Sequence, residues 1–305
     1  MKSIRRVNVN VNLELYRIFC EVAKAGNVTK AAEKLFVSQS AVSQAIKQLE
    51  DKLDGKLFDR NARGVQLTPE GAVLFSYANN AVSLIENAQE KLINMKNLNE
   101  GSIKIGASDT ICSVLLLDLL KKFNADYPDI HISVADSSTK QSIALIKNGA
   151  VDLSFVTLPV EEDPAVEITP IMPIHDCFVA GEKYAHLVNS LLHLRDLQKY
   201  PLLMIEKSSN SRKQIDRFLA KHNLEIEPAI EFASLGLLPK FAKEGLGVAV
   251  TIKEDVQEML DNGELFELQF FEKLPVRHIA LAQMKSVSLS SAAQAFKKAV
   301  LQVQN

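Results

Sequence analysis

Along the first third of the chain, apolar residues recur at intervals of three and four, the spacing that gathers them on one face of a helix. Leu15, Phe19 and Val22 mark such a helix from Leu13 to Ala25, which Gly26 ends. A shorter helix, from about Thr29 to Leu35, carries Ala31 and Ala32, small enough to let another helix approach closely. After Phe36 and Val37, Ser38 stands as the N-cap of a third helix that turns Val42, Ile46 and Leu49 inward. Residues Lys56 to Pro69, KLFDRNARGVQLTP, form two short extended pieces about a turn at Asn61 to Gly64. Pro69 suits the first position of a long helix. That helix, 69–98, sets Leu74, Ala78, Ala81, Ile85, Ala88, Leu92 and Met95 at alternating steps of four and three. This is an unbroken coiled-coil seam on a rod of roughly 45 Å, and self-association is expected along it.

Beyond Gly101 the period changes. SIKIGAS, HISVAD and DLSFVT read as strands separated by helices at Ile111–Tyr127 and Lys140–Asn148. A second set follows: CFVAG, LLMIE, a helix from about Ser211 to Lys221, AIEFA, a helix near Leu237 to Glu244, and GVAVTI. RHIALAQM and a helix from Ser290 to Gln302 return to the first set. Alternation of this kind predicts an α/β body with a parallel sheet and helices on its faces.

The chain has 305 residues, 47% of them apolar, enough for two or three domains. Its net charge of -2 hides an asymmetry: residues 1–66 hold 12 Lys and Arg against 7 Asp and Glu, and the remainder 23 against 30. A basic N-terminal module on an acidic body suits a polyanion at one end only. Cys20, Cys112 and Cys177 are odd in number and far apart, with no CxxC and no histidine at ligand spacing, so neither a disulfide framework nor a metal site is expected. No segment reaches the roughly 18 consecutive apolar residues of a membrane span, and a cytoplasmic protein without membrane partner is expected.

On the third helix Ser40, Ser43, Gln44 and Lys47 share the outward side, and no acidic residue occurs there before Glu50. The stretch FCEVAKAGNVTKAAEKLFVSQSAVSQAIKQLEDKLDGKLFDRNARGVQLTPEG sets Phe19, Ala31-Ala32, Leu35, Ser38-Gln39, Val42-Ser43, Ile46, Leu49-Glu50, Leu57-Phe58, Arg60 and Leu67-Thr68 at the spacings of the LysR-type transcriptional regulators, a family the whole chain resembles. Departures are Asn27 in place of the usual Ser, Ala45 where Gln is frequent, and Asp54 in place of the Gly that ends the third helix; Gly55 is expected to supply the left-handed cap instead.

The resemblance implies an α/β protein in three parts. A winged helix-turn-helix DNA-binding domain spans 10–68, with the motif at 27–46. A linker and dimerisation helix spans 69–98. A bilobal effector domain, resembling type 2 periplasmic-binding proteins, spans 101–305, with lobe I at 101–160 and 268–305 and lobe II at 161–267. The third helix then enters the major groove of double-stranded DNA, where Gln pairs with adenine edges, Lys reaches guanine or phosphate, and Ser is permissive. Ser38 and Gln39 are expected on phosphate at the helix start, although Ser38 also caps. Thr29, Lys30, Arg60 and Arg63 are expected to hold the DNA backbone.

Two copies joined along the rod present two reading helices, and the family assembles as a dimer of dimers, a homotetramer, with RNA polymerase as a further partner. In an α/β sheet, ligands lie beyond the carboxyl ends of strands. That rule selects Ser108, Asp109, Thr110, Ser137, Ser138, Ser208, Ser209, Ser211, Arg212 and Ser234 as effector contacts, against a plain capping role for each Ser or Thr. The expected effector is a carboxylate-bearing small molecule, a small organic anion or an amino acid; Asp109 fits the ammonium of the latter better than it fits an anion.

An enzyme and a transport receptor are the rival readings. The former lacks a GxSxG, a Gly-rich phosphate loop or a nucleophile beside a base, and its six histidines are scattered singly; no cofactor is expected. The latter lacks a signal peptide and has no use for a reading helix.

Overall fold

The computed structural model describes residues 11–61, 64–95 and 101–304; side chains at 60, 61, 90, 91, 93–95 and 304 are outside the description. The chain forms two compact units that meet between Glu90 and Lys91.

The N-terminal unit runs α1 (Leu13–Ala25), α2 (Val28–Leu35), α3 (Gln39–Leu53), β1 (Phe58–Asn61), β2 (Gly64–Leu67) and α4 (Pro69–Met95). Each of the first three helices starts on a side-chain cap: Asn12 accepts the Glu14 amide, Asn27 those of Thr29 and Lys30, and Ser38 that of Ala41. Asn27 therefore performs the capping that a Ser would. The end of α3 differs from expectation. Asp54 itself takes the left-handed conformation (φ 52°), while the Gly55 amide donates back to the Glu50 carbonyl. A short polar side chain tolerates that region, so the glycine one residue on is not needed for it.

Phe19, Val22, Ala31, Val42, Ile46 and Leu49 are buried together, and the rings of Phe19 and Phe58 lie 5.3 Å apart. The β1–β2 hairpin docks on the α1–α2 turn through a bond from the Val65 amide to the Gly26 carbonyl, 3.0 Å. A Cβ at Gly64 (φ 133°) would stand 2.4 Å from that same oxygen, so only glycine allows this approach. Thr68 starts α4, accepting the Gly71 amide at 3.0 Å.

The expected seam of α4 divides. Leu74 and Ala78 pack with Phe75 and Val82 into the helix-turn-helix core, whereas Ala81, Ile85, Ala88 and Leu92 are exposed; the Met95 side chain lies outside the described residues. The first turns of α4 cover the core of their own unit, and the outward apolar face instead runs through Val73, Tyr77, Leu84, Ile85 and Leu92.

The second unit contains β3 (Ser102–Ala107), α5 (Asp109–Ile111), a π-helical turn (Cys112–Leu116), α6 (Leu117–Asp126), β4 (His131–Asp136), α7 (Thr139–Lys147), β5 (Leu153–Thr157), β6 (Val166–Ala180), β7 (Leu202–Ile205), α8 (Asn210–Lys221), β8 (Ile230–Phe232), α9 (Leu238–Lys243), β9 (Val248–Ile252), α10 (Lys253–Asp261), β10 (Phe266–Glu267), β11 (Val276–Met284) and α11 (Ser291–Leu301). Strand order is β4-β3-β5-β11-β6-β9-β7-β8, with β10 also on β6. β3 is parallel to β4 and β5, and β7 to β8 and β9, as alternation predicts; β11 and β6 are antiparallel to their neighbours, so the sheet is mixed.

The lobe boundaries also move. Nine of the first ten residues of β6, Val166 to His175, pair with β11, Ile171 being passed over at a register shift, and from Asp176 onward β6 pairs with β9. The chain therefore crosses between lobes inside β6 at 175/176 and at the start of β11 at 275/276, rather than at 160/161 and 267/268. At this crossing the Arg277 guanidinium donates to both carboxylate oxygens of Asp176, at 2.6 and 2.5 Å, with the two side chains 3% and 4% exposed.

Candidate functional site

Two places collect the residues selected from the sequence. On α3, Ser40, Gln44 and Lys47 are exposed at successive turns, with Ser43 half-buried beside them; Ser38 and Gln39 are exposed at the helix start, and Thr29 and Lys30 at the start of α2. Ser38 divides its hydroxyl between the Ala41 amide and the hydroxyl of Ser40, 2.9 Å away. The Arg60 side chain and all of Arg63 lie outside the described residues.

Glu50, which sequence reasoning left without a role, is buried at the far end of the same helix. It accepts the Leu57 amide at 2.8 Å, the Phe58 amide at 3.3 Å and the Lys56 ammonium at 2.9 Å, and so ties the reading helix to the hairpin. Burial pushes its carboxyl up, but the Leu57 amide, the Lys56 ammonium and the Phe58 amide together outweigh it and hold the group below its ordinary value. A groove between α3 and the hairpin is lined by Ser43, Gln44, Lys47 and Lys56.

In the second unit a cavity of about 290 Å³ opens between the lobes. Ser108, Asp109 and Thr110 enter it after β3, Ser137 and Ser138 after β4, Ser208, Ser209 and Ser211 after β7, and Ser234 after β8. Three of these hydroxyls cap helices: Ser108 accepts the Ile111 amide, Ser138 that of Gln141, and Ser209 that of Arg212. Hydrogen bonds from two side chains join the lobes across the cavity. The Ser234 hydroxyl donates to Asp109 Oδ2 at 2.5 Å, and the Asn210 side-chain amide donates to the Thr157 and Pro159 carbonyls at 2.7 and 3.2 Å.

Arg212 is not brought to the cavity. Its guanidinium, 2% exposed, is held by Asp216 (2.8 Å), Glu231 (2.6 Å) and the Ile205 carbonyl (2.9 Å) on the other side of α8. Sequence reasoning missed Asp136, Gln141, Thr157 and Glu206, all of which line the cavity, as do Thr139 and Asn210 within the stretches Ser137–Thr139 and Lys207–Arg212 that it selected. The signal was present, since Asp136, Thr157 and Glu206 stand at the carboxyl ends of strands, where the rule that selected their neighbours places ligand contacts. Among the described lining residues three are carboxylates, Asp109, Asp136 and Glu206, and none is basic. The expectation of a carboxylate-bearing effector finds no cationic partner in this lining.

Burial raises the Cys112 thiol, and the charges of Asp136 and Asp109 add to the rise. Burial likewise raises the Asp255 carboxyl, with Asp109 adding and a bond from Ser113 opposing. Among the described residues no group of His, Cys, Asp and Glu is arranged to hold a metal, and no helix is long and apolar enough to cross a membrane.

Comparison with known proteins gives this geometry a family. A model described as bacterial regulatory helix-turn-helix protein, lysR family, matches residues 13–72, and one described as LysR substrate binding domain matches residues 96–305. The chain belongs to the LysR family. A "Probable RuBisCO transcriptional regulator" of Trichormus variabilis is 28% identical over 294 residues, covering 95% of this chain and 87% of that one. A regulator described in the same words, from Cyanidioschyzon merolae, is 30% identical over 242 residues, covering 78% and 80%. The crystal structure of full-length CbnR complexed with its target DNA has the same fold, with a TM-score of 0.70 at 16% identity over 96% of this chain and all of that one (100%).

This LysR-family protein is accordingly a DNA-binding transcriptional regulator, with a small-molecule effector domain following its winged helix-turn-helix. The first family match covers α1 to the start of α4, and the second covers the unit that holds the cavity.

Proposed function

We propose that α3 reads a palindromic double-stranded operator, and that occupation of the cavity alters how the lobes close and so modulates transcription. The observation that carries the first half is the exposed succession Ser40, Gln44 and Lys47 on a helix whose other face is locked into the core. Gln44 and Ser40 contact base edges, with Ser43 beside them, while Lys47 takes guanine or phosphate. Ser38, Gln39, Thr29 and Lys30 hold phosphates, joined by Arg60 and Arg63.

Two copies associate through the outward apolar face of α4, and pairs of dimers form the tetramer; RNA polymerase receives the signal on the promoter. The working division is a DNA-binding domain at 10–68, a linking helix at 69–98 and an effector domain at 101–305. The protein acts in the cytoplasm as a regulator without catalysis or cofactor. The supporting chemistry is the hydroxyl-rich lining at strand ends, in the lobe-crossing geometry that lets a ligand bias closure.

Competition anisotropy with operator and random duplexes tests the reading. Gln44→Ala should cost about 1–3 kcal/mol on operator only, and Lys47→Ala, if on phosphate, should weaken both and lower the salt slope by about one. A double variant that still prefers operator over random DNA as strongly as the parent overturns it.

A further inference from the structure

We propose that the effector of this cavity is cationic, an aliphatic amine or guanidine without net negative charge; this rests on the reading of the cavity as the effector site. The lining carries the carboxylates of Asp109, Asp136 and Glu206 and, among the described residues, no basic side chain. Nearby guanidinium groups are already paired: Arg212 with Asp216 and Glu231, and Arg277 with Asp176, its remaining nitrogen donating to the Ser211 hydroxyl of the lining at 3.3 Å. The donors that reach the lining carboxylates are neutral. Asp109 receives the Thr110 amide and hydroxyl and the Ser234 hydroxyl, and Glu206 receives the Ser208 hydroxyl. Hydrogen bonds from neutral groups satisfy oxygen lone pairs but leave the charge in place.

The opposing feature is the set of helix starts facing the cavity, which would favour an anion. Those at α7 and α8 already use Ser138 and Ser209 on first-turn amides, and the Gln141 side chain accepts the Ser138 amide to complete a capping box. Partial charges at helix ends fall off within a turn. Three whole negative charges around the cavity, those of Asp109 and Asp136 on one lobe and Glu206 on the other, outweigh them.

The hydroxyls of Ser137, Ser138, Thr139 and Thr157 offer further oxygen acceptors to the three N–H donors of an ammonium. The carboxylates are not clustered to close on a metal ion, whereas an organic cation with donors spread along a chain can span them. At about 30 Å³ per water-sized group, the cavity holds a ligand of about ten non-hydrogen atoms.

Isothermal titration of the full-length protein with 1,5-diaminopentane, agmatine, arginine, succinate and glycerol tests this, with hydrogen exchange to locate any bound probe. At least one amine or guanidine should bind, protecting peptides around 108–111, 136–141 and 206–211, while succinate does not. Asp136→Asn with Glu206→Gln should weaken that probe by about tenfold or more for the charges removed, and the weakening should shrink at high salt. Succinate binding in the cavity more tightly than every amine overturns the inference and leaves the effector-site reading intact. An amine that protects peptides elsewhere overturns that reading itself. No binding by any amine or guanidine at millimolar concentration, or unchanged affinity in the double variant, also overturns the inference.

Discussion

Replacing Glu50 isolates what holds the reading helix to the wing. In Glu50→Ala the Leu57 amide, fully inside, loses its acceptor, and the Phe58 amide loses a longer bond to the same oxygen. A buried donor left unpaired costs about 1–3 kcal/mol, so the pair costs about 2–4, the second counting for less. The Lys56 ion pair adds little, because the Lys56 side chain is 76% exposed and water screens it. In Glu50→Gln the amide oxygen still accepts both backbone bonds, and only charge assistance is lost, about 1 kcal/mol.

Because the two units need not unfold together, a whole-protein melting curve is the wrong readout. Amide exchange over 50–67 measures the local opening directly. At a factor of ten per about 1.4 kcal/mol, Glu50→Ala should accelerate exchange of the Leu57 amide about 30- to 1,000-fold, and Glu50→Gln only about fivefold. Acid adds a sign. The folded carboxyl lies below its unfolded value, so its stabilisation is complete above the unfolded value and disappears as pH falls through the folded one. The gap between parent and Glu50→Gln should therefore close on acidification. Equal exchange in the parent and Glu50→Ala at neutral pH would refute the assignment.

Asp176→Ala, which strands the buried Arg277 guanidinium at the lobe crossing, should cost about 3–5 kcal/mol in thermal or urea unfolding of the effector unit; Asp176→Ala with Arg277→Met should cost clearly less, and equal losses would refute uncompensated charge as the cause. Leu84→Glu with Leu92→Glu, both on the outward face of α4, should shift sedimentation toward monomer while leaving the N-terminal core folded; an unchanged oligomer would refute this face as the joint.

The parts of this fold that could be read from the chain are those set by local chemistry. α1 ends at Ala25 as expected because a glycine follows it, and α3 begins after Ser38 because that hydroxyl satisfies an amide three residues on. What escaped depends on neighbours distant in sequence. β6 was legible only at CFVAG, because Pro170 and Pro173 lack amide protons and demote a segment as a strand. In the sheet they sit beside a register shift of β11 at Ile279/Ala280, where the ladder is irregular. α10 was missed because nothing in KEDVQEMLD is capped; Ile252 precedes it without a side-chain bond. Arg212 has the composition of a ligand contact, yet α8 turns it toward Glu231 of a neighbouring strand, a partner 19 residues away in the chain. Periodicity found the apolar seam of α4 but could not tell which residues face the same chain, since Ala78 and Ala81 differ by one helical step in a direction that only packing decides.

The cavity's charge and its cross-lobe bonds together fix what an effector can do. Ser234 to Asp109 is a hydrogen bond to a charged group, worth about 1.5–3 kcal/mol, and Asn210 to the Thr157 carbonyl is a neutral one, worth about 0.5–1.5. Both would have to be exchanged for bonds to water if the lobes parted. A cation seated on Asp136 and Glu206 leaves both bonds in place and adds its own bridge between β4 and the end of β7, one on each lobe, so it deepens the closed state. A cation that takes Asp109 from Ser234 removes the stronger of the two bonds and must replace it. A ligand shifts an equilibrium only by the difference in its affinity for the two states, so the first mode increases closure while the second can be tight and nearly silent. The regulatory response is therefore set by which carboxylate the charge meets, not by how strongly the cavity holds it.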